Sequence, residues 1–256
     1  MTGRAIWKGQ VHFGGFDLPV KLHTAVKEER IEFHLLHERD HVRLRQQMVC
    51  AYENVPVPSD EQVKGFELED GKYVLVDPAD LKRIEPEDSR IIEVHEFVKV
   101  GQVDPIFVDR AYYLEPDEDV RKYNALAGAL RETGVEGICT WTMRKRSYVG
   151  ALQSGGKALR LISLRYADEL ISAKPLGLAE ASLSEKELKV GRVLINQLSG
   201  TFRPQQFRNE HEKKLKAMIQ KKASGQKIVI SRPTRLKPTT PDKLLKALEA
   251  SLKRVA

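Results

Sequence analysis

The period of the apolar residues changes once along this chain, near Tyr166, and that change constrains the fold more than any other feature. Before it, apolar residues come in short runs: Arg4–Phe13, Phe16–Val26, Tyr73–Val76, Ile91–Val100, Tyr112–Leu114, Ile138–Met143, Ser147–Leu152 and Ala158–Tyr166. Turn formers separate many of them: Gly14-Gly15, Pro56-Val57-Pro58, Glu69-Asp70-Gly71, Asp77-Pro78, Asp104-Pro105 and Ser154-Gly155-Gly156. Short strands at this spacing predict a barrel or sandwich. Pro19 falls inside the second run. It predicts an edge or a bulge there, because proline cannot donate to a ladder. One helix interrupts the strands at Val120–Glu132. Val120, Tyr123, Ala127 and Leu130 share its face, and Gly134 suits its C-terminal cap.

After Tyr166 the spacing is helical. Ser184 and Glu187 form a capping box ahead of Leu188, Ile195 and Leu198, with Gly200 just beyond. Pro204–Ser224 reads as a second helix with Phe207, His211, Leu215, Met218 and Ile219 on one face. A basic linker follows, and a last helix starts with Thr240 as N-cap and Pro241 at its first position. Its stripe is Leu244, Leu245, Leu248, Leu252 and Val255. The expected class is mixed and mainly β, strands first and helices last.

Charge is segregated along the same axis. Residues 1–120 carry 15 basic and 25 acidic groups, residues 121–165 carry 9 and 2, and residues 201–256 carry 15 and 4. A net charge of +7 thus conceals two strongly basic stretches. Segregated basic segments point to a polyanionic partner. His41, Arg43, Arg45 and Gln47 alternate with Val42, Leu44, Gln46 and Met48. In an extended strand the two arginines share a face about 7 Å apart, close to the phosphate spacing along one nucleic-acid strand. Arg144-Lys145-Arg146 joins two strands, and Lys157 and Arg160 follow on the next hairpin. The asparagine and glutamine needed to read adenine are not grouped with these arginines, so the binding expected is sequence-independent and salt-sensitive.

Other chemistry is missing from the sequence. There is no G-x-S-x-G and no G-x-G-x-x-G, and Gly155-Gly156-Lys157-Ala158 lacks the first glycine and the hydroxyl of a P-loop. His34, His37 and His41 lie near Glu38 and Asp40, but no H-E-x-x-H and no cysteine pair accompanies them. No catalytic residues, cofactor or metal site are expected. Two cysteines, Cys50 and Cys139, cannot build a disulfide framework, so a reducing cytoplasm is the expected compartment. No apolar run is long enough to span a membrane, and the first ten residues hold no signal-like apolar segment.

Several blocks, in order, resemble the bacterial (prokaryotic) Ku family, the DNA end-binding proteins of non-homologous end joining. They are Arg4-Ala5-Ile6-Trp7-Lys8-Gly9, Leu18-Pro19-Val20-Lys21-Leu22, and Phe33-His34-Leu35-Leu36-His37 followed by Asp40 and Arg43. Next come Val63-Lys64-Gly65-Phe66-Glu67, Gly71-x-Tyr73-Val74, Glu96-Phe97-Val98, Asp104-Pro105-Ile106 and Tyr112-Tyr113-Leu114-x-Pro116. Lys122-Tyr123, Gly137-Ile138, Ala158-Leu159 and Tyr166-Ala167-Asp168-Glu169-Leu170 complete the pattern. The likeness covers about residues 4–225 and continues weakly at Leu244–Leu252. Many relatives carry paired cysteines after the first histidine block, where this chain has Cys50 alone. The family's acidic-Glu-Tyr triplet is Asn209-Glu210-His211 here.

The resemblance implies a Ku-core β-barrel with a bridging, DNA-encircling arch over 1–180 and a helical dimerisation arm over 181–225. Residues 226–256 would be a basic linker and an amphipathic helix. Two copies would form a ring that threads onto a duplex end, on the nucleoid in a bacterial cytoplasm. The multifunctional ATP-dependent DNA repair ligase would be its protein partner. Arg39, Arg43, Arg45, Arg144, Lys145, Arg146, Lys157 and Arg160 are the expected DNA contacts. Tyr148, Leu152, Leu194, Leu198 and Phe207 are expected to dimerise, and Leu244, Leu245, Leu248 and Leu252 to dock the ligase. Without the resemblance, a generic architectural DNA-binding protein lacking end preference fits the residues as well.

Overall fold

The computed structural model describes residues 4–27, 30–87, 89–178 and 184–225. The expected linker and last helix, with Leu244, Leu245, Leu248 and Leu252, lie outside the described residues. The chain divides into one unit of residues 1–29 and 33–193 and another of 30–32 and 194–256.

The first unit is built on a closed seven-stranded barrel. β1 (Trp7–Phe13) and β2 (Phe16–Thr24) form a hairpin turned by Gly14 and Gly15, both at positive φ. The chain then leaves the barrel for residues 25–90, a stretch holding β3 (Lys64–Glu67), β4 (Tyr73–Val76) and α1 (Pro78–Ile84). It returns as β5 (Ile91–Lys99) and β6 (Val108–Pro116), followed by α2 (Val120–Thr133). β7 (Val135–Met143), β8 (Arg146–Gly155) and β9 (Ala158–Leu164) complete it. The order around the barrel is β1-β2-β6-β9-β8-β7-β5, and a parallel β1–β5 pairing at Gln10↔Ile91 closes it.

Strand alternation builds the core. Leu18, Val20 and Leu22 on β2 point inward at 0% exposure, as do Val11, Ile92, Cys139, Leu152, Leu159 and Leu161. Each large side chain buried this way contributes about 1.5–3 kcal/mol. Gly150 is required by packing: a Cβ there would meet the Ile162 carbonyl at 2.5 Å and the Trp141 ring at 2.6 Å. Pro19 departs from its expectation, because a closed barrel has no edge. The β2–β6 ladder begins at Val20↔Pro116, so Pro19 lies one residue beyond it. Only its carbonyl is used, accepting the Asp117 N–H at 3.1 Å.

One end of the barrel is capped by α2. The Asp119 carboxylate accepts the Lys122 N–H at 2.9 Å to start the helix, and Gly134 stops it at φ 66. Tyr123, Leu126, Ala127 and Leu130 form its buried face. The Tyr123 hydroxyl donates to the Leu114 carbonyl at 2.6 Å and accepts the Leu159 N–H at 2.7 Å, which fastens the cap to β6 and β9.

Within residues 25–90 two loops repeat one hydrogen-bond pattern thirteen residues apart. His37 N–H reaches the Val42 carbonyl, His41 N–H the His37 carbonyl and Leu44 N–H the Leu35 carbonyl. Cys50 to Val55, Asn54 to Cys50 and Val57 to Met48 copy these bonds. His41 and Asn54 take the same left-handed conformation, φ 57 and 59. Sequence comparison misses this repeat because backbone bonds, not side chains, define it.

Beyond the barrel, α3 (Glu185–Leu198) begins with the expected box: the Ser184 hydroxyl accepts the Glu187 N–H and the Glu187 carboxylate accepts the Ser184 N–H. The second helix is shorter than its sequence reading. α4 (Glu210–Ala223) starts at Asn209, whose side chain accepts the Glu212 N–H at 3.1 Å, and a single 3-10 turn occupies Pro204–Gln206. Phe207 therefore precedes the helix, and its ring stacks on Phe202 at 5.8 Å instead of joining a helical face. Among the described residues no helix is long and apolar enough to cross a membrane.

Candidate nucleic-acid interface

The end of the barrel opposite α2 is open. β2 finishes there, β5, β6 and β8 begin there, and β7 and β9 end there, as the pairs Thr24↔Tyr112, Met143↔Arg146 and Val108↔Leu164 require. Residues 25–90 leave and return at this same end. Basic side chains from four separate places converge on it. Arg90 and Arg144 line one hollow with Ile6, Trp7 and Met143, and Lys8 lines it too but turns its ammonium to Asp117 at 3.7 Å. Arg146 and Arg165 line a second with Asp109 and Glu169. Arg110 and Arg144 flank the mouth itself. Asp109 lies 3.8 Å from Arg110 and 3.6 Å from Arg165, so it fixes two guanidinium groups without burying either.

Arg144 and Lys145 form the two-residue turn between β7 and β8, at φ 52 and 63. Two positive φ values in such a loop define the type I′ turn, which selects Asn and Gly. Two long cations occupy it instead, at a conformational cost concentrated where the chain presents most charge. The Lys145 ammonium meets the Glu85 carboxylate at 2.8 Å, just past the end of α1.

The expected basic cluster is divided by this geometry. Lys157 and Arg160 sit on the β8–β9 hairpin, at the α2 end. β8 is 10 residues long, so its two turns are about 30 Å apart at strand rise. Arg160 is also half-buried, lies over Gly155 and keeps a buried Nε without a partner among the described residues. Arg144, Lys145 and Arg146 therefore belong with Arg90, Arg110 and Arg165, not with Lys157 and Arg160. Each added residue stands near a strand end, and only the strand order reveals that those ends coincide.

Arg39, Arg43 and Arg45 are exposed in and beside the first repeated loop. Arg39 lies at its tip between His37 and Asp40, which pair at 2.9 Å. Arg43 is bridged to Leu36, but no continuous strand carries Arg43 and Arg45 together. No three His, Cys, Asp or Glu side chains among the described residues are grouped to hold a metal ion. Cys50 instead accepts the Glu53 and Tyr52 backbone N–H groups, which hold its thiol below the usual range. Cys139 donates to the Gly150 carbonyl at 3.4 Å, and burial pushes its pKa up to about 12.

The expected dimerisation set also separates. Leu152 is wholly buried inside the barrel, so it has no surface to offer a second chain. Tyr148 is half-buried and stacks on Trp141 at 5.2 Å. Leu194 is half-buried, whereas Leu198 and Phe207 are 89% and 73% exposed.

The family model of the Ku70/Ku80 beta-barrel domain matches residues 12–190. A Geotalea uraniireducens (strain Rf4) protein named Non-homologous end joining protein Ku 2 is 65% identical over 256 residues, covering both chains in full. The Koribacter versatilis protein named Non-homologous end joining protein Ku is 36% identical over 225 residues, 88% of this chain and 77% of that one. One of the same name from Archaeoglobus fulgidus is 34% identical over 252 residues, 96% and 99% of the two chains.

Proposed function

Because the chain belongs to the bacterial Ku family, we propose that it binds double-stranded DNA ends as a ring-shaped homodimer and recruits the multifunctional ATP-dependent repair ligase of non-homologous end joining. The observation that carries this reading is the basic rim at the open end of the barrel, where residues 25–90 also depart and return. Guanidinium groups engage phosphate oxygens in pairs and lysines act as point charges. Such contacts fix the duplex in place and carry no sequence information. Arg39, Arg43 and Arg45 on the departing segment supply further cations along the backbone. The end preference needs no end chemistry: a closed ring admits a duplex only at a free terminus. No covalent step is assigned to the protein.

Self-association is assigned to the arm, through Leu194, Leu198 and Phe207. The tail stripe of Leu244, Leu245, Leu248 and Leu252 is assigned to the ligase, as an amphipathic helix entering a groove. Deleting residues 226–256 then preserves end binding and abolishes ligase stimulation. The decisive experiment is a competition among linear, hairpin-capped and circular duplexes of equal length. The linear form wins if the ring is right. Equal competition by circles returns the protein to the class of architectural DNA-binding proteins without end preference. With six phosphates neutralised, affinity falls about a thousandfold between ~50 and ~200 mM salt.

A further inference from the structure

The open end of the barrel is more than a rim. Behind its arginines lies a cavity of about 680 Å³, bounded by residues from β2, β6, β7 and β8 and by Ile6, just before β1. α2 plugs the opposite end, so this is the mouth of a barrel, one of the places where proteins hold small ligands. Its lining divides by chemistry. Tyr112, Tyr148 and Met143 give an aromatic and apolar interior, with Ile6 beside them. Burial holds the Tyr112 phenol protonated, so that ring is neutral. Arg110 and Arg144 stand at the edge. A bulge in the β6–β9 register between Val108 and Arg110 places Asp109 and Arg110 at this edge. Bulges of that kind re-aim side chains next to binding sites.

An apolar interior under two cations matches a nucleotide: a flat base stacks on tyrosine while its phosphate meets arginine. The volume exceeds that of one nucleotide and leaves room for water. We propose that the mouth of the barrel holds one unpaired nucleotide at the end of the bound DNA, its base against Tyr148 and its phosphate between Arg110 and Arg144. This rests on the DNA-binding reading above and adds a preference to it. A frayed or overhanging end supplies such a nucleotide, and a perfectly paired blunt end must first unpair one. The aromatic platform reads no sequence, because every base has a stackable face.

The test uses the full chain and two linear duplexes of equal length, one blunt and one with a single-nucleotide 3′ overhang of 2-aminopurine. Stacking one base is worth about fivefold in affinity or more, so the overhang duplex binds at least that much more tightly. Its 2-aminopurine emission changes on binding as the base stacks. Val26→Trp and Thr24→Trp, both at exposed positions lining the mouth, fill the cavity. They abolish the preference and the emission change while leaving blunt-end affinity unaltered. Equal affinity for the two duplexes with constant emission overturns the proposal and leaves the DNA-binding reading standing. An emission change that survives both tryptophan variants places the base elsewhere and also overturns it. Failure of either duplex to bind at low salt refutes the underlying reading instead.

Discussion

Replacing Arg144-Lys145 by Asn-Gly separates conformational cost from charge in a single turn. Both residues hold positive φ, 52 and 63. A side chain with a Cβ pays roughly 1–2 kcal/mol in the left-handed region, which Asn tolerates better and glycine adopts freely. Removing both penalties gains about 1–3 kcal/mol. The Lys145–Glu85 pair is lost, but Lys145 is 64% exposed and such a pair contributes at most about 1 kcal/mol. The net is a stabilisation of about 1 kcal/mol, seen as a rise of roughly 2–4 °C in Tm for a chain of this size. DNA binding moves the other way. Each lost phosphate contact lowers the slope of log affinity against log salt by about 0.9, so the double variant loses about 0.9 per turn engaged, that of Arg144, because Glu85 holds Lys145 in the parent. Thermal denaturation and a salt titration of duplex affinity measure the two effects on one sample. Arg144→Ala with Lys145→Ala is the control, because alanine keeps the backbone penalty and removes the charge. It matches the loss of binding without the gain in Tm. An Asn-Gly variant less stable than the parent refutes the strain argument. An unchanged salt slope removes the turn from the contact set.

Glu85→Gln frees Lys145 for phosphate. It raises duplex affinity and steepens the salt slope by up to about 0.9, whereas the same change in a Lys145→Gln background does neither. The two thiols differ: Ellman's reagent titrates Cys50 alone in the native protein and both cysteines after denaturation, because Cys139 is buried with a pKa near 12. The Asp17 carboxylate raises the His12 pKa above 6.5, with Glu93 adding to it. Its stabilisation is therefore complete below the ordinary histidine value and disappears as pH rises through the raised one. Denaturation midpoints of wild type and His12→Gln, compared from pH 5.5 to 8.5, converge at the alkaline end. Leu198→Glu yields a folded monomer by sedimentation, whereas Leu152→Glu yields no folded barrel by circular dichroism.

The sequence foretold elements whose signals are local. Ser184 and Glu187 sit three residues apart and cap α3, and Gly134 ends α2 because its own backbone permits the left-handed turn. What it could not foretell depends on distant pairing. Arg144 and Lys157 are near neighbours in sequence, and a strand of 10 residues carries them to opposite ends of the barrel. Lys8 and Arg90 are far apart in sequence and share one hollow. Leu152 reads as surface-forming in an isolated hairpin, but closure of the barrel puts it inside. Phe207 shows a competition between local signals: the helical spacing extends back to Pro204, and the Asn209 side chain captures the Glu212 N–H first.

Closure of the barrel also decides how copies of this chain can meet. A closed barrel offers no row of unpaired backbone groups, so a second copy cannot join it by adding a strand. Outside the barrel, β3 and β4 form a sheet of two strands with no buried side chain, and Phe66, Tyr73 and Leu75 are 66%, 62% and 70% exposed. An isolated hairpin of that kind is marginal in water. α3 and α4 likewise bury no side chain within the chain, while Ile195 and Leu198 stand exposed along α3. Apolar surface is thus concentrated in the segments that leave the barrel, and the barrel's own apolar residues are spent on its interior. A chain organised this way has a self-sufficient core and appendages whose apolar faces stay exposed. That division of roles supports the ring proposed above.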